Sequence, residues 1–336
     1  MSTVQQPRDD RTVSRGNRTF AQFSLLNDVY CIPVDEAEGN RLDELNRILR
    51  EVCGDRVVLP QEHFPPPGVD EPAVLDCGYG KGAWIDDLLE QYGAYECDVT
   101  GVDLYLGDSA EEDDDDDDED DDDSDAETVQ EFVKKRWNLN ARFSADHSAD
   151  RLRPESFDLI NSRFLSEGID TDRWASYVMD LKRLLKPGGW LQMIELEFLF
   201  QSHSGRLSLD LTEPLRLWTE WYDTTMRQSN RDPRAGSRLR GYLYSAGFDE
   251  IQHHRRHLFV GSWNPSKINV GTAKSWQKLT TLSFRITWRR YPEQFAQNPG
   301  NGLALALCRS SPWAVTSNAS CILYPTRSRS TKTDSR

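Results

Sequence analysis

The chain has 336 residues, a formal net charge of −16 at pH 7 and 37% hydrophobic residues, enough to bury one large core or two small ones. No apolar stretch approaches the roughly 18 residues that a membrane helix requires, and the first twenty residues lack the apolar segment of a secretory signal. The six cysteines form no C-x-x-C pair. We therefore expect reduced thiols in an intracellular protein, in the cytoplasm or the nucleus, without membrane contact.

Most of the negative charge comes from one segment. Residues 111–123 are thirteen consecutive acids, and without them 43 acidic residues face 40 basic ones. Such a run repels itself and does not pack, so 107–127 is predicted to be an exposed, disordered insertion. It is either a tolerated surface insertion or an electrostatic arm for a basic partner protein. The nearly neutral remainder argues against nucleic acid as a partner.

Changes in composition and in periodicity, together with Pro- and Gly-rich connectors, divide the chain into segments. In order, the predicted segments are a disordered tail (1–29), an N-terminal helical cap (30–68), a core (69–265), a C-terminal helical addition (266–308) and a flexible tail (309–336). In the cap, a helix is predicted at 40–53, with Asn40 as its N-cap and Gly54 just beyond its end.

Strands and helices alternate through the core. Strands are predicted at 73–77, 99–104, 141–144, 157–162, 190–197 and 248–252, and helices at 82–92, 171–186 and from about 213. The clearest helix, 171–186, carries its apolar residues on one face. This order predicts an α/β fold: a Rossmann-like, doubly wound, mostly parallel sheet covered on both faces, with N- and C-terminal helical additions.

The stretch VLDCGYGKGAW (74–84) places Gly78, Gly80 and Gly82 between the first core strand and its helix. Glycines there let the backbone approach a ligand, and Asp103, at the end of the second strand, can accept both hydroxyls of a ribose. A nucleoside ligand is therefore predicted. The pattern can also be read as G-x-G-x-x-A, which suits a dinucleotide dehydrogenase. Asp76, two residues before the glycines, and the Lys186–Gly189 turn argue against that alternative.

Four motifs together carry a resemblance. VLDCGYGKGAW, GVDL, FDLINSRFLSEGID and LKRLLKPGGWLQMIELEF follow one another in the order of class I S-adenosylmethionine-dependent methyltransferases. More narrowly, the chain resembles the fungal LaeA-like group, whose Y-x-x-P-x-D-E-x-E-x-x-R-L-D and SRFL phrases match residues 30–43 and 162–165. The resemblance covers residues 30–264 and implies S-adenosylmethionine as the cofactor.

The resemblance also implies roles for individual residues. Gly78, Gly80 and Gly82 would line the methionine moiety, with Asp76 near its ammonium; Asp103 would hold the ribose and Asp146 would approach the adenine; Ser162 and Arg163 would border the sulfonium. Lys81 either pairs with the cofactor carboxylate or points outward. The acidic insertion replaces a short link of the family and puts the Asp146 role in question.

A general base is required only if the acceptor must lose a proton. His147 and His203 follow predicted strands and are the catalytic candidates; each is otherwise a surface or hydrogen-bonding histidine. Glu195 and Glu197 either orient an acceptor or cap a sheet edge. His253, His254 and His257 lack the companion ligands of a zinc site, so no metal is predicted.

Three functions compete. The first is a methyltransferase that transfers a methyl group to a small-molecule acceptor, a fungal secondary metabolite. The second is a LaeA-like regulator of secondary metabolism that acts through protein partners or protein methylation. The third is a nicotinamide oxidoreductase, for which tight binding of a dinucleotide but not of S-adenosylhomocysteine would be evidence.

Overall fold

A computed structural model describes residues 4–59, 61–107, 132–143, 152–202, 214–260 and 315–327. The helices are α1 (Gln22–Asn27), α2 (Glu36–Cys53), α3 (Ala83–Tyr92), α4 (Trp174–Leu184), α5 (Pro214–Gln228) and α6 (Ala235–Ser245). The strands are β1 (Thr12–Arg15), β2 (Arg18–Ala21), β3 (Ala73–Cys77), β4 (Asp98–Asp103), β5 (Val133–Arg136), β6 (Phe157–Arg163), β7 (Leu185–Glu195), β8 (Phe198–Ser202), β9 (Glu250–Ile251), β10 (His254–Val260) and β11 (Val315–Arg327).

One mixed sheet organises the described residues. Its strand order is β10-β11-β7-β6-β3-β4-β5, and β8 and β9 also pair with β11. Strands β3 to β7 are mutually parallel, and β11 is antiparallel to β7. The predicted doubly wound, mostly parallel α/β fold is confirmed.

Both faces of the sheet are covered. On one face α4 and α6 pack against alternate residues of the strands, such as Leu75 of β3, and on the other α3 packs against Val74. The apolar residues predicted for the helix at 171–186 are buried, with Trp174 and Leu181 fully inaccessible. Coverage on both sides explains why the inner strands β3 and β6 are buried along almost their whole length.

The third parallel strand is not where the sequence predicted it. Residues 133–136 form β5 and pair with β4, whereas 141–143 form a loop. Phe143 gave 141–144 its apolar signal, but it is a buried loop residue that stacks on Trp137 and packs into the core under α4. The strand itself reads Val-Lys-Lys-Arg, which is typical of an edge strand rather than of a buried one.

The predicted disordered tail at 1–29 is wrong for residues 4–29. They include the β1–β2 hairpin and α1. Arg18 accounts for part of this order, because its guanidinium donates to both carboxylate oxygens of Asp35, at 2.6 and 2.8 Å. Asp35 also caps α2 by accepting from the N–H of Glu38. The helix therefore begins at Glu36 and not after Asn40, and it ends before Gly54 as predicted.

The predicted flexible tail at 309–336 is wrong for residues 315–327. They form the 13-residue strand β11, which pairs with β7 and β10 on its two sides. The sheet is thus completed by a segment beyond the predicted core boundary at 265. The acidic insertion predicted at 107–127, apart from Gly107, and the helical addition predicted at 266–308 lie outside the described residues.

Among the residues that the structure describes, no helix is long and apolar enough to cross a membrane. The same described residues contain no cluster of three or more His, Cys, Asp or Glu side chains that would hold a metal ion.

Candidate functional site

Residues 78–82, which we call the glycine loop, follow β3 at the edge where the five parallel strands end. Gly78 has φ +72° and Gly80 has φ +62°, a left-handed conformation that residues with a side chain adopt at a cost. The N–H of Gly78 donates to the carbonyl of Val102 on β4 at 2.7 Å. This bond turns the chain sharply over the sheet edge and holds the loop backbone beside the end of β4.

Asp103, the last residue of β4, ties the loop to the same edge. Its Oδ2 accepts from the N–H of Gly80 at 3.0 Å, and its Oδ1 accepts from the N–H groups of Leu104 and Tyr105 at 2.6 and 3.4 Å. Burial raises the pKa of Asp103 to about 6, although these three hydrogen bonds favour the charged form. A carboxylate fixed in this way presents its remaining lone pairs in a defined direction.

A row of three buried polar side chains, on strands β3, β6 and β7, crosses the sheet below the glycine loop. Asp76 of β3 accepts from Asn161 Nδ2 of β6 at 2.8 Å, and Asn161 Oδ1 accepts from Gln192 Nε2 of β7 at 3.0 Å. The three are at most 2% exposed, and burial raises the pKa of Asp76 to about 6. Asp76 therefore lies behind the glycine loop and does not line the cavity in front of it.

Arg163, the last residue of β6, links three elements at the cavity. Its Nη1 donates to Asn46 Oδ1 of α2 at 2.9 Å, and its guanidinium lies 5.8 Å from the centre of the Trp84 ring of α3. Asn46 in turn donates to the carbonyl of Ala83 and to the carboxylate of Asp87. Helix α2 is thereby fixed over the glycine loop.

A cavity of about 150 Å³ opens between α2 and the carboxyl ends of the strands. One part is lined by the segments that follow β4 and β5, residues 104–107 and 137–139, which we call the nucleoside wall. The other part is lined by residues of 24–46 and 163–169. Asp103 and the glycine loop lie on the same cavity.

The structure brings four of the eight predicted cofactor residues onto this cavity: Gly78, Gly80, Asp103 and Arg163. Gly82 caps α3 with φ +94° and lies outside the lining. Ser162 is fully buried, with its Oγ 3.1 Å from Tyr177 Oη, and is likewise outside the lining. Asp146, His147 and His203 lie outside the described residues.

Sequence reasoning missed several residues that line the cavity. Trp137, Asn138 and Leu139, which directly follow the observed third parallel strand β5, line the cavity. Asn46 had a detectable signal, because it is a polar residue among the buried apolar residues Leu45, Ile48 and Leu49 of α2. Lys81 lines the cavity and is exposed, and its Cγ lies 3.5 Å from the point that a Cβ would occupy on Gly39 of α2.

Two buried acids, one at the end of β7 and one just after it, bind backbone groups. Glu195 accepts from the N–H groups of Leu165 and Ser166 at 2.8 and 3.1 Å, and burial raises its pKa to about 8. Glu197 accepts from the N–H of Ser237 at 2.6 Å, in the first turn of α6. Both side chains are fully inaccessible. These contacts favour the structural one of their two predicted roles.

Glu195→Gln is expected to remove a pH dependence of stability. The native carboxyl keeps its proton up to about pH 8, whereas the unfolded one loses it near 4.5. Because the native state holds the extra proton between these values, the free energy of unfolding of the wild type falls as pH rises, by up to about 1.4 kcal/mol per unit. Glutamine does not titrate. Urea unfolding of the wild type and of Glu195→Gln from pH 5 to 9 measures the free energy of unfolding as a function of pH. Parallel profiles for the two proteins would contradict the prediction.

The strand order, the glycine loop and the acid at the end of β4 define a doubly wound α/β domain with its ligand cavity at the carboxyl edge of the sheet. A family model described as a methyltransferase domain matches residues 46–253, and the chain belongs to this methyltransferase family. The match decides against the oxidoreductase alternative.

Two similar relatives are fungal proteins. The chain is 25% identical over 247 residues to the secondary metabolism regulator LAE1 of Cochliobolus heterostrophus, covering 72% of this chain and 70% of LAE1. It is 25% identical over 236 residues to methyltransferase pytC of Aspergillus terreus, covering 70% of this chain and 62% of pytC. It thus spans less than two thirds of pytC. Among solved structures, the cyclopropane synthase MmaA2 of Mycobacterium tuberculosis matches with 16% identity and a TM-score of 0.42, over 76% of this chain and 78% of that one.

Proposed function

We propose that the protein transfers a methyl group from S-adenosylmethionine to a small-molecule acceptor, a fungal secondary metabolite. One observation carries the proposal: the Asp103 carboxylate and the glycine loop lie on one cavity, joined by the hydrogen bond from Gly80. Membership of the methyltransferase family supports the reaction type, and pytC, a relative, is named as a methyltransferase.

The residues present fit such a cofactor. A carboxylate has about four acceptor positions, and Asp103 uses three of them for N–H groups, so it can also accept from a ribose hydroxyl. Tyr79 lines the cavity with a buried hydroxyl that has no hydrogen-bond partner among the described residues. Apolar residues of the nucleoside wall, Leu106 and Leu139, offer a surface for a purine ring.

S-adenosylmethionine would supply a methyl group on a sulfonium. The chain then gains rate mainly by aligning donor and acceptor and by excluding water. Helix α2, fixed through Asn46 and Arg163, closes the cavity over the glycine loop. Leu42, Leu45 and Phe164 are apolar residues of the cavity lining and are proposed to contact an organic acceptor. His147 and His203 remain the proposed bases for a hydroxyl acceptor.

Asp103→Ala is expected to weaken binding of S-adenosylhomocysteine at least about 100-fold. The wild type should bind with a micromolar dissociation constant. The variant loses one charge-assisted hydrogen bond to a ribose hydroxyl, worth roughly 1.5–3 kcal/mol, and also the acceptor that holds the N–H of Gly80 in the glycine loop. Isothermal titration calorimetry measures both constants. Asp98→Ala, at the opposite end of β4, is the matched control and should bind as the wild type does. A folded wild type that does not bind would refute the proposal.

A second candidate is favoured by the relatives. LAE1 is named as a regulator of secondary metabolism, so this chain is alternatively proposed to act through protein partners or by methylating them. Stoichiometric association with nuclear proteins that persists in Asp103→Ala would support the regulatory role. Methylation of a small molecule that is lost in the same variant would support the first proposal.

A further inference from the structure

Residues 5–10, which we call the N-terminal strap, lie across the carboxyl ends of β4 and β5. Gln6 Oε1 accepts from the N–H of Asn138 at 2.7 Å. Asn138 also donates from its side-chain Nδ2 to the carbonyl of Gln5, at 3.0 Å. Asn138 is 1% exposed and belongs to the nucleoside wall. The strap thus holds one segment of this wall through two hydrogen bonds.

Asp10 holds the other segment. Its Oδ1 accepts from the N–H of Leu106 at 3.0 Å, and its Oδ2 accepts from Arg136 Nη2 at 2.6 Å. Arg136 also donates from Nη1 to the carbonyl of Arg8 at 3.3 Å. The Asp10 and Arg136 side chains are 14% and 23% exposed, so water screens this ion pair only in part.

The pairing of β4 with β5 ends at Asp103 and Arg136. The N–H of Trp137 still donates to the carbonyl of Asp103, and beyond that point the strap provides the bonds to Leu106 and Asn138. Burial is the main cause of the raised pKa of Asp103, and the negative charge of Asp10 also raises it. The strap carboxylate is therefore close enough to interact with the residue proposed to hold the ribose.

We propose that the N-terminal strap positions the nucleoside wall and so determines the affinity for the nucleoside half of the ligand. Asp10 is the main positioning residue, because it joins the segment after β4 to the end of β5. It does not line the cavity itself. This inference rests on the proposed function, since it concerns the same ligand.

The test uses the full chain and two probes: S-adenosylhomocysteine and 5′-methylthioadenosine, which has the nucleoside but no amino acid. Asp10→Ala should weaken binding of both probes by the same factor, about tenfold, because one partly buried carboxylate with two bonds is lost. Asp10→Asn keeps an acceptor for the N–H of Leu106 and should recover part of the affinity. Asp9→Ala is the matched control, since Asp9 bonds to Arg11 at the surface, and should bind within twofold of the wild type.

A second readout does not depend on a ligand. Hydrogen exchange at the amides of Leu106 and Asn138 should be faster in Asp10→Ala than in the wild type, while amides of the central strand β3 keep their protection. Retained protection in β3 shows that the variant is folded.

The outcomes are distinct. Suppose that the wild type binds both probes. If Asp10→Ala then binds each probe as tightly as the wild type does, or loses affinity only for S-adenosylhomocysteine, the strap proposal is refuted while the proposed function stands. If the wild type binds neither probe, the proposed function fails, and the proposal on affinity fails with it; exchange then decides whether the strap orders the wall.

Discussion

Leu323→Pro is expected to lower the free energy of unfolding by roughly 1–3 kcal/mol, because a carbonyl of the neighbouring strand loses its N–H donor. Leu323 lies in the middle of the sheet, where β11 is paired on both sides, with Ile194 of β7 and with His254 of β10. Proline has no N–H for the ladder, and its ring disrupts a central strand. Since domains are stable by roughly 5–15 kcal/mol, the variant should lose a large fraction of its stability. Urea unfolding followed by circular dichroism measures the change.

The chain provides a comparison for this prediction. Pro325, two residues further along, is tolerated in β11: it pairs with Gln192 of β7, but it lies between the last β10 pair, at Leu323, and the first β9 pair, at Thr326. Leu323→Ala keeps the N–H and is the control for loss of the side chain. If Leu323→Pro were as stable as Leu323→Ala, β11 would not be an inner strand.

The parts of the fold that could be predicted are those whose signal is local. Strands β3 and β6 are apolar runs next to Gly or polar residues, and α4 carries its buried residues at helical spacing. Strand β11 was missed because its first half, VTSNAS, is polar and its second half contains a proline. Pairing with strands far away in the sequence, rather than local propensity, determines its structure.

The candidate site divides in the same way. The glycine loop and Asp103 were predicted because both belong to a strand-loop-helix unit with a known chemical logic. The role of Asp146 depended on the register of the sequence after the acidic run, and a charged edge strand, β5, gave no apolar signal to set it. Contacts such as that between Gln6 and Asn138 join residues 132 positions apart, and no pattern in one sequence indicates them.

Gly78→Ala is expected to reduce the affinity for S-adenosylhomocysteine roughly 10- to 100-fold. A Cβ at this position would lie 2.5 Å from Cδ2 of Leu165, and φ is +72°. Leu165 cannot retreat with its backbone, because its N–H is held by the buried Glu195. Its side chain, which already lines the cavity, must therefore move into the space proposed for the ligand. Forcing one extra methyl group into a close-packed site costs roughly 1–3 kcal/mol, and each 1.4 kcal/mol is a factor of about ten in affinity.

Two further variants separate the blocked cavity from the backbone strain. Gly68 has φ +78° with no atom within 4 Å of a Cβ, so Gly68→Ala carries the left-handed cost of roughly 1–2 kcal/mol without a neighbour to displace. It should lower the free energy of unfolding and leave the affinity unchanged. The double variant Gly78→Ala/Leu165→Ala removes the colliding methyl group and should regain part of the affinity that Gly78→Ala loses, although its stability is lower still. Calorimetry and urea unfolding of the three proteins distinguish the two effects. If the double variant binds no better than Gly78→Ala, the loss arises from the backbone of the glycine loop, and Leu165 does not transmit it.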